Sequence, residues 1–226
     1  MRRFELTRRA LLAMAGASLS AMHRLSRAQN SELEGSIDMQ AKTALVTGST
    51  DGLGREVAIR LGNLGANVIV HGRSEERARE VLHMINEESR GSAVFYQADL
   101  ASLDAVRALA DRVIREHERL DLLINNAGIW TEGTEQRRTS ADGHELVFAV
   151  NYLAGFLLTH RLVPLLKKSA PARIVNISSL AQQPIDFDNV MLTEGFTATR
   201  AYSQSKLAQV MFTIDLAAAL EGSGVT

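Results

Sequence analysis

From Lys42 onward the apolar positions follow two periods in turn. Short apolar runs read as strands: "TALVT" (43–47), "NVIVHG" (67–72), "AVFYQADL" (93–100), "LDLLINNAG" (120–128) and "ARIVNISS" (172–179). Between them, apolar residues recur at helical spacing. This predicts helices over 57–66, 74–89, 102–119, from about Asp142 to Lys168, and over 201–221. Gly65 is placed to end the first helix and Ser74 to cap the second, with acids in its first turn. Pro164 is expected to perturb the end of the fourth. Strict alternation of apolar strands and amphipathic helices predicts a parallel sheet covered on both faces, a three-layer α/β/α domain.

Composition changes this picture little. The chain has 226 residues, 46% apolar and 23% charged, enough for one α/β domain. Aromatic residues make up 5%, too few for base-stacking platforms. Outside the first 30 residues acids outnumber bases, which argues against a nucleic-acid partner. No cysteine is present, so disulfides, thiol catalysis and Cys-based metal sites are excluded. The six histidines are scattered without metal-ligand spacing, and His144 stands alone.

The N-terminus has a different character. Residues 1–30 carry Arg2, Arg3, Arg8, Arg9, Arg24 and Arg27 against a single acid, Glu5. After Arg8 and Arg9 the chain is uncharged from Ala10 to Ala21, shorter than the roughly 20 apolar residues of a membrane span. A basic start, a short apolar stretch and small residues fit a secretory signal of the twin-arginine type over residues 1–28, implying export to the periplasm. A basic tail on a cytoplasmic protein is the alternative. Residues 29–41 read as a linker and 42–226 as the folded domain.

The stretch "TGSTDGLG" (47–54) follows the first strand and opens the first helix. Glycine is entropically costly, so three of them need a local reason: a turn with unusual dihedrals, or a ligand approaching the backbone. In a doubly wound sheet this turn is where dinucleotide phosphates sit, held by unpaired helix amides and the helix dipole. The spacing is Gly-x-x-x-Gly-x-Gly, and alone it fits a ligand-free turn equally well. Tyr202 and Lys206 are four apart and share a helix face, which in isolation also fits a surface pair.

Taken together, these motifs resemble the short-chain dehydrogenase/reductase family, in particular its retinol-dehydrogenase-like branch. The resemblance rests on "TGSTDGLG", on "NNAG" (125–128), on Asn151 in "VNYLAGFLLT", on "IVNISS" ending in Ser179, and on Tyr202 and Lys206 in "YSQSK". It implies a Rossmann-type doubly wound sheet and hydride transfer between a nicotinamide cofactor and a carbonyl or alcohol. It assigns Tyr202 as general acid and base, Lys206 as the cation beside it, Ser179 as a hydrogen-bond partner of the reacting oxygen, and Asn151 as the holder of a water that reaches Lys206. A phenol titrates near pH 10, and making it exchange protons near neutrality needs about 4 kcal/mol. One cation about 5 Å away at an effective dielectric near 20 supplies about 3 kcal/mol.

The same resemblance places Gly48, Ser49, Thr50, Gly52, Leu53 and Gly54 around the cofactor phosphates. It brings Asp99, with Leu100, to the adenine amino group. It sets Asn125, Ala127 and Gly128 on the ribose side, with Tyr202 and Lys206 also touching the cofactor. The second strand ends in "VHGRS", where Arg73 stands and no acid does. That favours NADP over NAD, since a guanidinium pairs with a 2′-phosphate. Asp51, in the glycine loop, points the other way. Residues 180–200 are expected to form a loop over the site, with Phe187, Met191, Leu192 and Phe196 suggesting an apolar substrate. Family members often form oligomers through the helices around Asn151 and Tyr202. A catalytically silent dinucleotide-binding protein on the same fold is the alternative function. The family fold continues with a sixth strand, a substrate-covering segment and a seventh strand. The chain ends at "EGSGVT", so it is expected to be cut short, with "ARIVNISS" as an unpaired, aggregation-prone edge.

Overall fold

The computed structural model describes residues 37–131, 133 and 136–226. The signal reading of residues 1–28, and the linker as far as residue 36, lie outside the described residues. Met39–Thr226 form one compact unit. The domain therefore begins a little before residue 42: the Met39 amide donates to Leu64 O at 2.9 Å, and the Met39 side chain packs on the core.

Five parallel strands form one sheet: β1 (Thr43–Val46), β2 (Asn67–Gly72), β3 (Ser92–Gln97), β4 (Leu122–Asn125) and β5 (Arg173–Asn176), in the order β3-β2-β1-β4-β5. Helices α1 (Gly52–Asn63), α2 (Glu75–Glu88), α3 (Leu103–Glu116), α4 (Leu146–Lys168) and α5 (Ala198–Ala219) connect and cover them. Central strand β1 is buried along its whole length, as its unbroken apolar run requires. Leu45 lies beside Ile69 on one side and Leu123 on the other. Edge strand β3 is more open, with Ala93 and Tyr96 buried and Ser92, Val94 and Gln97 exposed. Asn86 from α2 accepts from Ala93 N at 2.6 Å and donates to Ala93 O at 3.2 Å, which satisfies backbone groups of that edge. The strand order reverses at β1 and β4, and beyond their carboxyl ends such a sheet opens a crevice.

Local signals account for most helix ends. Ser74 accepts from Arg77 N, and Gly65 takes φ +94° just past α1. The fourth helix starts at Leu146, not Asp142, because the buried Glu145 carboxylate caps it through Val147 N (2.9 Å) and Phe148 N (2.7 Å). Pro164 sits inside α4, which runs on to Lys168. Residues Ala149–Leu153 widen into a π-helical turn that contains Asn151.

The start of β5 is not an unpaired edge. Ala172 N donates to Gly224 O (3.1 Å), Thr226 N to Ala172 O (3.0 Å) and Ile174 N to Thr226 O (2.8 Å). Val225 is buried in the core beside this bridge. The rest of β5 is only partly covered.

Candidate active site

The crevice at the β1–β4 reversal is a cleft of about 760 Å³. Gly48, Thr50, Gly52, Leu53 and Gly54 line it from the first turn, Arg73 from the end of β2, Asp99 and Leu100 from the end of β3, and Ala127 and Gly128 from the end of β4. Two of the glycines are sterically required. A Cβ on Gly54 would lie 2.3 Å from Gly48 O and 2.4 Å from Asn126 Nδ2, and one on Gly48, at φ +64°, would lie 2.9 Å from Ala127 Cα. Asn126 donates to Thr47 O (2.9 Å) and Gly48 O (3.2 Å), and Thr47 Oγ1 accepts from both Asn126 N and Ala127 N at 3.0 Å. The β1 and β4 loops are thus bonded into one rigid floor.

Two expected contacts point elsewhere. Ser49 is fully buried, and its hydroxyl donates to Val46 O (2.7 Å) and accepts from His71 N (3.0 Å), tying the turn to β2. The Asn125 amide is buried between β4, β5 and α4, donating to Thr159 Oγ1 and Asn176 Oδ1 at 2.8 Å each. Neither side chain lines the cleft. Asn125 is turned inward by its place at the end of β4, and Ser49 by the turn that bonds it to Val46 and His71.

Two residues that the motifs did not single out, His71 and Arg77, also line the cleft. His71 is buried against the turn, and its Nδ1 accepts from Gly48 N at 3.1 Å. Burial pushes its imidazole down to about 4, so it is neutral and holds the first glycine as an acceptor. Asp51 caps α1 through Gly52 N (2.8 Å) and pairs with Arg77 Nη1 at 2.8 Å. Arg77 therefore joins Arg73 at the cleft wall. The Arg73 guanidinium itself is exposed and makes no hydrogen bond or ion pair to the described residues.

The second half of the site is built where α5 crosses the ends of β4 and β5. Lys206 is buried, and its Nζ donates to Ile177 O (2.8 Å) and Gln209 Oε1 (2.9 Å). Burial pushes this ammonium down to about 8, which leaves it mostly charged at neutral pH. Nζ stands 5.6 Å from the centre of the Tyr202 ring, which puts the cation beside the phenol. Ser178 Oγ donates to Lys206 O (2.8 Å), which fixes the end of β5 against the same helix turn. The neighbouring Ser179 Oγ accepts from Ala181 N (3.1 Å) and, among the described residues, donates its own proton to none. Asn151 Oδ1 accepts from Ile129 N (2.7 Å), while its Nδ2 donates to Ile129 O (3.1 Å) and Ser205 Oγ (3.1 Å). Its amide is a clamp between the β4 loop and α5: both Nδ2 protons are taken, and the second lone pair of Oδ1 is the acceptor left for a water.

The loop before α5 contributes less to the site than its apolar residues suggest. Leu192 is fully buried, and Met191 O accepts from Arg137 Nε (2.7 Å). Phe187 faces a groove between α4 and α5. Leu192 and Phe196 pack in the same cluster as Tyr202, Leu192 as part of its buried base. The aromatic against Tyr202 comes instead from the β4–α4 connection: the Trp130 ring stacks on it, with centroids 5.5 Å apart and planes at 28°.

A glycine-floored cleft at the switch point of a Rossmann-type sheet, with a Tyr–Lys pair beside it, defines a dinucleotide-binding α/β protein. The short chain dehydrogenase family matches residues 42–226, and this chain belongs to that family. It is 40% identical to mouse (Mus musculus) retinol dehydrogenase 14, over 96% of this chain and 69% of that protein. It is 43% identical to human (Homo sapiens) retinol dehydrogenase 13, over 82% of this chain and 56% of that protein. The chain thus spans between about half and two thirds of these relatives. Among solved structures, a metagenomic short-chain oxidoreductase in complex with NADP superposes with a TM-score of 0.69 at 31% identity, covering 83% of this chain and 80% of that one. The Pseudomonas aeruginosa RhlG/NADP active-site complex gives 0.68 at 30%, covering 84% and 71%.

Proposed function

We propose that this protein is an NAD(P)-dependent oxidoreductase acting on a carbonyl or alcohol, with Tyr202 as its general acid and base. The observation that carries this reading is the Lys206 ammonium, 5.6 Å from the Tyr202 ring and 3.6 Å from where a Cβ on Gly128 would stand, next to a cleft whose glycines leave room for a pyrophosphate. The cleft fits a dinucleotide. Gly48, Gly52 and Gly54 line the cleft at the start of α1, where the helix dipole favours an anion, and Asp99 and Leu100 stand at the end where an adenine would lie. Two guanidiniums, Arg73 and Arg77, flank the end of β2, and this favours NADP over NAD. Asp51, which alone would disfavour a 2′-phosphate, is neutralised by Arg77.

When bound, the nicotinamide supplies or accepts the hydride. The chain's own groups handle the proton and the oxygen. In reduction the Tyr202 hydroxyl donates its proton to the carbonyl oxygen, and in oxidation the phenolate takes it back. The Lys206 ammonium stabilises that phenolate through space, and the Ser179 proton is free to bond the same oxygen. Lys206 is itself aimed by Ile177 O and Gln209.

The same reading extends to a small-molecule carbonyl or alcohol as substrate and to a homo-oligomer formed through α4 and α5. In support of the latter, the most apolar stretch of Leu146–Lys168 has mean hydropathy 1.5 but is only 44% buried. Phe156, Phe187 and Met211 stand exposed around a groove of about 310 Å³. Export by a twin-arginine route is part of the proposal, tested by replacing Arg8 and Arg9 with lysine and fractionating cells. The function is tested by following NADPH consumption with a panel of aldehydes and ketones, for the wild type and Tyr202→Phe. Turnover that survives in the variant within a few-fold would remove Tyr202 from the mechanism. Tight NADPH binding with no turnover on any carbonyl would favour the silent-binder alternative.

A further inference from the structure

The chain contains a single tryptophan. Trp130 lies two residues beyond Gly128 and is 55% exposed. Indoles are usually covered, and one left open beside a concave site is contact surface. Its ring is stacked on Tyr202, the group that must meet the reacting oxygen. Ile129, Val147, Leu192 and Phe196 complete the apolar cluster that holds Tyr202. A carbonyl that reaches the Tyr202 hydroxyl therefore carries its substituents alongside the indole.

We propose that Trp130 is a specificity-determining wall of the carbonyl site, and that it favours substrates with a flat unsaturated ring attached to the reacting carbon. This rests on the reading of Tyr202 as the proton donor. Planar π-systems pack on an indole in offset or edge-on geometry with centroids about 4.5–7 Å apart. Tyr202 covers part of the indole at a centroid spacing of 5.5 Å, and the exposed remainder of Trp130 is the surface a substrate ring would meet. A saturated ring of the same size is thicker and offers no complementary quadrupole. A single aromatic pairing of this kind corresponds to a preference of about three- to tenfold.

The test needs no turnover. Benzamide and cyclohexanecarboxamide, non-reducible carbonyl probes that differ in the ring, are titrated calorimetrically into the full chain saturated with NADPH. Wild type should bind benzamide about three- to tenfold more tightly. The ratio should fall to about one in Trp130→Ala and be largely kept in Trp130→Phe, since a smaller aromatic ring preserves the wall. Unchanged NADPH affinity shows that the variants are folded. A ratio that survives in Trp130→Ala, or the absence of any preference in wild type, overturns the proposal. A ratio that behaves as expected while Tyr202→Phe retains turnover counts against the proton-donor assignment alone.

Discussion

Acidification should strip stability from this domain through one side chain, His71. The ring is 2% exposed, and its Nδ1 accepts from Gly48 N at 3.1 Å. Burial holds its folded pKa at about 4, against an ordinary value of 6.5. Between those two pH values the unfolded chain binds the proton and the folded chain does not. Stability therefore rises with pH across that window and is flat above it. From the two pKa values the loss between pH 7 and pH 5 comes to about 2 kcal/mol, and by pH 4 to about 3 kcal/mol. His71→Asn provides the control, because an Asn Oδ1 can take the Gly48 bond without titrating. Urea unfolding of both proteins at pH 7 and pH 5 isolates the effect, since carboxylates common to both cancel. The variant should be the less stable at pH 7, having lost packing, and the gap should narrow by about 2 kcal/mol at pH 5. A gap that does not change with pH would mean that His71 is protonated in the fold or reached by water, and the acceptor role would fall.

Other perturbations bear on the cleft and the Tyr–Lys pair. Gly54→Ala puts a Cβ 2.3 Å from Gly48 O, so NADPH affinity measured by Trp130 energy transfer should fall by at least about tenfold while the fold persists; unchanged affinity would remove the phosphates from this turn. Arg73→Asp should shift the NADPH-to-NADH affinity ratio toward NADH by about ten- to a hundredfold, the value of a charge-assisted bond, and a wild type that already prefers NADH would refute the assignment. Gln209→Leu takes an acceptor from the Lys206 ammonium, so the alkaline limb of the activity profile, set by a group that loses its charge at about 8, should move to lower pH. Gln209→Glu should move that limb up, and profiles that stay put in both variants would place Gln209 outside the site.

The fold was largely legible because its signals are local. Apolar runs, the Gly65 stop and the Ser74 cap each act within a few residues, and each falls where the sequence puts it. The start of α4 was misplaced because its cap is Glu145, an acid that is buried by neighbours from the loop before α5 and reads in sequence as a surface charge. The pairing of Gly224–Thr226 with β5 was illegible for the same reason: two short segments meet only after α5 has folded back. In the site, the glycine turn and the Tyr202–Lys206 spacing carry their geometry in the local chain. Ser49 and Asn125 share those motifs but face the interior, Ser49 because the turn bonds its hydroxyl to Val46 O and His71 N, Asn125 because the end of β4 turns it toward β5 and α4. His71, Gln209 and Trp130 act through partners distant in sequence or through burial, so no pattern of spacing exposes them.

The central claim is that Tyr202 delivers a proton to a carbonyl while a nicotinamide held in the β1–β4 cleft delivers hydride. It is tested most directly by supplying NADPH deuterated at the transferred position with an aromatic aldehyde, and following the isotope by mass spectrometry. The account predicts that one deuterium per turnover appears on the product carbinol carbon in wild type. It also predicts that the rate drops by about a hundredfold or more in Tyr202→Phe, with cofactor affinity kept. Deuterium that never reaches product, or that reaches it equally fast without the phenol, would contradict it.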